Sequence, residues 1–311
     1  MKRKVVQHGP ATLIISLPSE WVKKFEVMKG DELNVVQEDN TLVISTEVRR
    51  KSMDTQLDIS DLDRTSIMYI VRGMYRLGYD KVRLAFKNPM TRYQRQKEDM
   101  SVLSIIHQEV NRLVGYEVIQ ESENMCTIKD IQETSGKDFE QILRRIFLLI
   151  IDASKNLRDG AKDNNLIILE SIEKQHDTIT KFVSYCMRLL NKKSYPTPRK
   201  TSYYYHIIAI LDRITDIIKY ASRDLRAYNK KVSFKTNDII SATHENLYTF
   251  YSFFYKYDLD QIRGMNDARY ATEQKLRKLT EDPKEIIVAT NIFHIMEILL
   301  DLVEARSALE Y

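Results

Sequence analysis

The sequence predicts a multi-domain α+β protein, and three observations point there. Residues Lys2 to about Thr46 alternate like strands and break at turn residues. Residues from about 54 to 131 mix helical and strand periods, and from Phe139 onward strand signals give way to six amphipathic segments. The chain has 311 residues, 43% of them apolar and 30% charged, with only 8 Gly and 6 Pro. That composition excludes collagen-like, disordered and disulfide-rich classes and supplies enough apolar material for a sizeable core. Domains are expected at 1–50, 51–132 and 133–311.

In the first segment, Val5-Val6 begins a strand, His8-Gly9-Pro10 is a turn, and Thr12 to Leu17 is a second strand ending at Pro18. Ser19 is placed to cap a short helix, Glu20 to Phe25, and Lys29-Gly30-Asp31 turns the chain after it. Leu33 to Gln37 and Thr41 to Ser45 then form a hairpin across Glu38-Asp39-Asn40.

In the second segment, Ile67, Ile70, Val71, Met74 and Leu77 recur at helical spacing, and Gly78 ends that helix. Lys81 to Phe86 alternates like a half-buried strand. A second helix is expected over Lys97 to Leu113, stopped near Gly115, followed by a hairpin of Tyr116 to Gln120 and Met125 to Asp130. The result is an α+β sandwich, with a ferredoxin-like arrangement as one candidate.

The remaining helices are expected at about 139–158, 163–191, 200–229, 236–257, 258–280 and 284–309. Brief breaks at Asp159-Gly160, Tyr195 to Pro198, Val232-Ser233, Asp258 and Asp282-Pro283 make neighbours antiparallel, so an all-α bundle follows. A break near 232 divides it into two three-helix units. The third helix carries Ile207, Ile210, Leu211, Ile214, Ile217, Ile218 and Ala221, and the sixth carries Ile292, Ile295, Ile298, Leu299 and Leu302, registers that fit a degenerate duplication. The aromatic stretches Tyr203-Tyr204-Tyr205 and Tyr248 to Tyr257 read as packing residues of this bundle.

The longest unbroken apolar run, Ile146 to Ile151, is far shorter than the ~20 residues that cross a bilayer, so no transmembrane segment is expected. Met1 to Lys4 mimics the start of a secretion signal, but His8-Gly9-Pro10 interrupts any apolar continuation. Cys126 and Cys186 match no metal spacing and suit reduced thiols in a cytoplasm. The chain has 48 basic and 44 acidic residues, a net of +4, so binding partners must be argued locally. Phosphate-binding loops, dinucleotide fingerprints, His-Glu-x-x-His and Gly-x-Ser-x-Gly are all missing, which favours a regulator over an enzyme.

Two stretches carry family resemblances. Gln7-His8-Gly9-Pro10-Ala11-Thr12-Leu13-Ile14-Ile15-Ser16-Leu17-Pro18, followed by Val27-Met28-Lys29-Gly30-Asp31-Glu32-Leu33, resembles the SpoVT-AbrB domain. Leu211-Asp212-Arg213-Ile214-Thr215-Asp216 on the third of six helices is similar to the PhoU family. Together with the α+β insert, nearly the whole chain resembles the two-part PhoU-like phosphate uptake regulators of archaea. The first resemblance implies a swapped-hairpin β-barrel built from two chains, hence a homodimer through residues 1–50. The second implies PhoU-like helical units and a phosphate transporter or signalling component as partner.

Many AbrB-like relatives contact DNA through basic residues of the barrel. The matching candidates are Lys2, Arg3 and Lys4 on the first strand, His8 at the turn, and Lys23 and Lys24 on the short helix. Against this, residues 1–51 hold 9 basic and 7 acidic side chains, and Ser16 stands where antitoxin-like relatives often have arginine. DNA binding and pure dimerisation therefore both stay open. Arg49-Arg50-Lys51 reads as a solvated linker that is able to reinforce phosphate contacts.

In PhoU-like proteins an acidic pair on each such helix helps hold polynuclear metal sites. The resemblance places a divalent or iron ion at Asp212 and Asp216, with His176, Asp267 and Glu297 as further donors. The sixth helix has Phe293 and Glu297 at the matching positions, the second His176 and Thr180, and the fifth Asp267 and Ala271, so the pattern is eroded. The residues themselves favour a salt-bridge ladder over a metal site, because Lys219 and Arg223 continue the row from Asp216 and a chelating cluster needs several converging ligands.

Overall fold

A computed structural model describes residues 2–38, 40–46, 52–132, 139–193 and 198–311. The chain divides into two compact units, Met1–Met53 and Asp54–Tyr311. Where the sequence suggested three domains, the α+β segment and the helices form one unit. Arg49-Arg50-Lys51, Asp39 and the break at 195–197 lie outside the described residues.

The N-terminal unit contains β1 (Val6–Gln7), β2 (Leu13–Ile14), α1 (Ser19–Lys24), β3 (Leu33–Glu38) and β4 (Thr41–Thr46). β1 and β2 pair antiparallel with Val6 opposite Ile14, and β3 and β4 pair with Leu33 opposite Thr46. The element order is the expected one. The cap is not: Pro18 occupies the position before α1, Ser19 is already helical, and no side chain caps the helix. Proline's fixed φ suits a helix entry, which leaves Ser19 without that role.

The second unit opens with a strand absent from the sequence reading, β5 (Asp54–Asp58), followed by α2 (Arg64–Leu77) and β6 (Lys81–Ala85). Asp63 caps α2 by accepting from the Ser66 N–H at 2.8 Å, and Gly78 closes it at φ 96°, a left-handed conformation that costs glycine little. The hairpin β7 (Met90–Tyr93) and β8 (Glu98–Ser101) leads into α3 (Val102–Val110), then β9 (Tyr116–Ser122) and β10 (Met125–Asp130). The helix expected from Lys97 is therefore shorter. Residues Glu98 to Ser101 pair with Met90 to Tyr93, and Ser101 caps α3.

The four-stranded sheet runs β5-β6-β10-β9, with β5 parallel to β6 and the other pairs antiparallel. Adjacent parallel β5 and β6 replace the ferredoxin-like order, in which a strand separates such a pair. Val82 and Leu84 of β6 face the same way as Cys126 and Ile128 of β10. They share a core with Ile67, Val71 and Tyr75 of α2 and Ile105 and Ile106 of α3.

Six helices complete the unit: α4 (Phe139–Asp163), α5 (Leu166–Lys193), α6 (Pro198–Tyr228), α7 (Phe234–Tyr255), α8 (Leu259–Arg277) and α9 (Pro283–Glu310). Gly160 does not break α4. It is buried in the helix, where a Cβ would lie 2.8 Å from Leu169, so it permits a close approach of α5. One apolar core runs through all six helices, and Phe250, Phe253 and Phe254 of the aromatic stretch are buried in it. The Ile and Leu registers noted on the third and sixth helices are buried apart from half-buried Ile210.

Among the described helices, α9 alone is long and apolar enough to cross a membrane by length and composition. Its apolar character has a second physical source. Val288, Ile292, Ile295, Leu299 and Leu302 join the main core, while Ala289, Phe293 and Met296 join a smaller one with Ile239 and Leu279, so α9 is buried on several sides.

Candidate functional site

The structure leaves every sequence-predicted basic residue of the first unit in solvent. Lys2, Arg3 and Lys4 precede β1, His8 lies in the β1–β2 turn, and Lys23 and Lys24 form the last turn of α1; all are exposed. The His8 N–H donates to Thr12 O at 2.7 Å, which pins the turn and leaves its imidazole outside the hairpin ladder. Lys24 lies 5.5 Å from the centre of the Phe25 ring. Among the described residues none of these cations has a carboxylate partner, so their charge stays available to an anion.

The apolar side chains of this unit are just as open. Leu13 is 70% exposed and Leu42 64%, and Val6, Ile14 and Val35 are exposed too. No described residue between 2 and 53 is buried. A shallow apolar hollow is lined by Leu17, Pro18, Trp21, Leu42 and Ile44. The hairpins carry the alternation of a half-buried sheet but cover none of it within one chain.

In the second unit the acidic pair on α6 meets cations. Asp212 accepts from Arg76 of α2 at 2.9 Å. Asp216 accepts from Lys219 and lies 3.0 Å from His176 Nε2. Burial raises the Asp216 carboxyl, but hydrogen bonds from His176 and Lys219 outweigh it and hold the group well below the usual carboxylate range. Lys219 Nζ also reaches His176 Nε2 at 2.9 Å, while His176 Nδ1 lies 3.2 Å from Asp177. Arg223, the next cation in the row from Asp216, pairs instead with Glu173 of α5.

His176, Asp212 and Asp216 thus line one cavity, whereas Asp267 and Glu297 do not. Asp267 is exposed on α8, and Glu297 on α9 accepts from Arg269 at 2.6 Å. Among the described residues, no group of three or more His, Cys, Asp or Glu is arranged to hold a metal ion. The geometry is that of cation–carboxylate pairs: Asp216 meets Lys219 of its own helix, and Asp212 meets Arg76 of α2.

Sequence reasoning missed the α2 and α3 sides of this cavity. Arg72 forks onto fully buried Glu109 at 2.7 and 3.1 Å, Arg112 pairs with Asp177, and Arg64 stacks on Tyr93 with 4.3 Å to the ring centre. The available signal was the row Arg64, Arg72 and Arg76 on one amphipathic helix, but the carboxylate partners of Arg72 and Arg76 are 37 and 136 residues away. Cys126 and Cys186 are buried free thiols; burial pushes Cys126 up to about 12 and Cys186 further, so both stay protonated.

Comparison with known proteins locates one family. Residues 7–52 match the family described as antidote-toxin recognition MazE, bacterial antitoxin. The match supports an AbrB-like N-terminal domain, in agreement with the resemblance seen in Gln7 to Pro18. No curated protein and no solved structure matches the chain.

Proposed function

We propose that the protein is a homodimeric, DNA-binding transcriptional regulator of phosphate uptake. The observation that carries this reading is the coincidence of the antitoxin-type match at 7–52 with a unit that buries none of its described residues. Burying a Leu or Val side chain contributes about 1.5–3 kcal/mol, so Leu13, Ile14, Val35 and Leu42 favour pairing with a second copy. Pairing would double the exposed set Lys2, Arg3, Lys4, His8, Lys23 and Lys24 and form a basic rim suited to phosphates. The likeness of Leu211 to Asp216 to PhoU proteins supports phosphate transport as the controlled process, a cytoplasmic location and a non-catalytic helical part that senses a ligand or partner.

A second reading has its own observation. The net charge of residues 1–51 is only +2, and Ser16 stands where antitoxin-like relatives often place an arginine. On that reading the first unit serves dimerisation alone, and the helices dock on a phosphate transporter or signalling kinase. Sedimentation of the intact protein, followed by capture of genomic DNA fragments at low and moderate salt, separates the two. A dimer that retains DNA at low salt supports regulation, and a dimer without DNA supports docking. A single copy at about 10 μM, where a specific dimer should persist, overturns both.

A further inference from the structure

The cavity that holds His176, Asp212 and Asp216 has a volume of about 380 Å³ and lies among α2, the β7–β8 hairpin, the end of α3, α5 and α6. Its charges do not cancel. Asp212 is matched by Arg76, Asp216 by Lys219, Glu173 by Arg223 and Asp177 by Arg112. Arg72 is taken by Glu109. Two lining arginines are left over, Arg64 and Arg95, neither with an ion-pair partner among the described residues.

Arg64 is the sharper of the two. Its Nε is buried without a hydrogen-bond partner, and its guanidinium lies against the Tyr93 ring, which holds the plane in one orientation. A buried N–H without a partner calls for an acceptor, and a bound anion would supply one. Arg64 also opens α2, where the helix dipole adds positive potential. A guanidinium presents a planar fork that matches tetrahedral oxyanions in bidentate fashion. Exposed Tyr69 and half-exposed Tyr220 add aromatic surface to the same cavity.

We infer that this cavity binds a phosphoryl-bearing dianion, held by Arg64 and Arg95. The paired carboxylates shape the site rather than bind. They fix Lys219, Arg223 and Arg112 in place and would repel any anion that did not reach the two unmatched arginines. The site would be the ligand-sensing part of the regulator proposed above and rests on that reading for its purpose. Its charge arithmetic is independent of DNA binding.

The test is calorimetric titration of the intact protein, without DNA, at low salt. Orthophosphate, pyrophosphate and a nucleoside monophosphate are compared with a dicarboxylate, malate. Saturable binding of at least one phosphoryl compound is expected, and the preferred one tells free phosphate from a nucleotide. Arg64→Ala and Arg95→Ala should each weaken it by about tenfold or more, the scale of one charged hydrogen bond. Arg92→Ala, on the same hairpin but paired with Asp99 outside the cavity, should leave it unchanged. Should Arg64→Ala disturb folding, exposed Arg95→Ala still reports alone. Absence of phosphoryl binding at about 1 mM, the weak limit for a specific small ligand, overturns the inference. So does wild-type affinity in both variants, or a preference for malate. DNA retention measured separately is untouched by that failure.

Discussion

The guanidinium of Arg188 on α5 donates to Asp130 Oδ2 on β10 at 2.6 Å, and the two side chains are 0% and 4% exposed. The same group donates to Tyr75 O at 2.7 Å and Tyr79 O at 2.8 Å, and lies over the rings of Tyr75 and Tyr116. One turn further along α5, Lys192 reaches Asp80 at 2.6 Å and Asp130 at 3.3 Å. Burial pushes the Tyr75 and Tyr116 hydroxyls up, so both remain neutral and donate, to Val114 O and Tyr79 O. This charged seam joins the sheet to the helices, which is why the α+β segment is not a separate domain.

Removing the arginine should unfold that seam more than removing both charges. Arg188→Ala leaves Asp130 with Lys192 alone, and breaking a buried pair costs about 3–5 kcal/mol. Arg188→Met with Asp130→Leu exchanges the pair for apolar volume and should recover much of that loss. Urea unfolding of the three proteins checks this. A double variant as unstable as Arg188→Ala would show that shape, and not charge, holds the seam.

Three helix-interior glycines should respond with different signs to alanine. A Cβ at Gly73 of α2 or Gly264 of α8 meets nothing within 4 Å. Each substitution should gain up to about 1 kcal/mol from helix propensity. At Gly160 the new Cβ would lie 2.8 Å from both Cγ and Cδ2 of buried Leu169. Overpacking there should cost about 1–3 kcal/mol and exceed the propensity gain. Thermal melts of the three variants give the answer; a raised melting temperature for Gly160→Ala would mean that α5 can shift away.

The sequence was readable where structure is local and mute where it is not. Periodicity placed α2 and all six long helices because each apolar stripe is written in one segment. Gly160 looked like a break because a glycine's packing partner, Leu169, cannot be seen from its own helix. β5 escaped notice because its exposed residues Asp54, Gln56 and Asp58 mask two half-buried ones, Thr55 and Leu57, and its pairing with β6 is parallel and remote. At the acidic pair, the neighbours Lys219 and Arg223 were legible as i+3 and i+7 positions. Arg76, 136 residues away, was not, and neither was the excess of positive charge that Arg64 and Arg95 bring.

If the basic residues of α1 meet DNA, their removal has a quantitative signature. Each phosphate contact contributes about 0.9 to the slope of log affinity against log salt concentration on duplex DNA. Lys23→Ala with Lys24→Ala removes four cations from a dimer, so the slope should fall by up to about 4. Anisotropy titrations over a salt series measure it. An unchanged slope assigns the contacts to Lys2, Arg3 and Lys4, whereas absence of DNA binding at low salt favours the dimerisation-only reading.

Acid should loosen the helical core through His244. Its Nδ1 lies 2.7 Å from Ser154 Oγ, and that hydroxyl donates to Ile151 O, so the imidazole N–H donates to Ser154. Burial lowers the His244 pKa from its ordinary 6.5, and Arg158 and Lys155 push the same way; Glu245 and Asp159 oppose them without prevailing. The folded state therefore holds the ring neutral while the unfolded chain takes up a proton near 6.5. The stabilisation is present in full above that value and is lost as pH falls through 6.5 toward the lower folded value. The slope there is at most about 1.4 kcal/mol per pH unit. Melting temperatures between pH 5 and 8 should drop on the acid side for the wild type. His244→Asn, which cannot titrate, should flatten that limb even if it lowers the whole curve. Parallel curves for the two proteins would remove His244 as the source of the acid limb; the carboxylates Asp216 and Glu173, whose pKa values are lowered, lose their stabilisation only below this range.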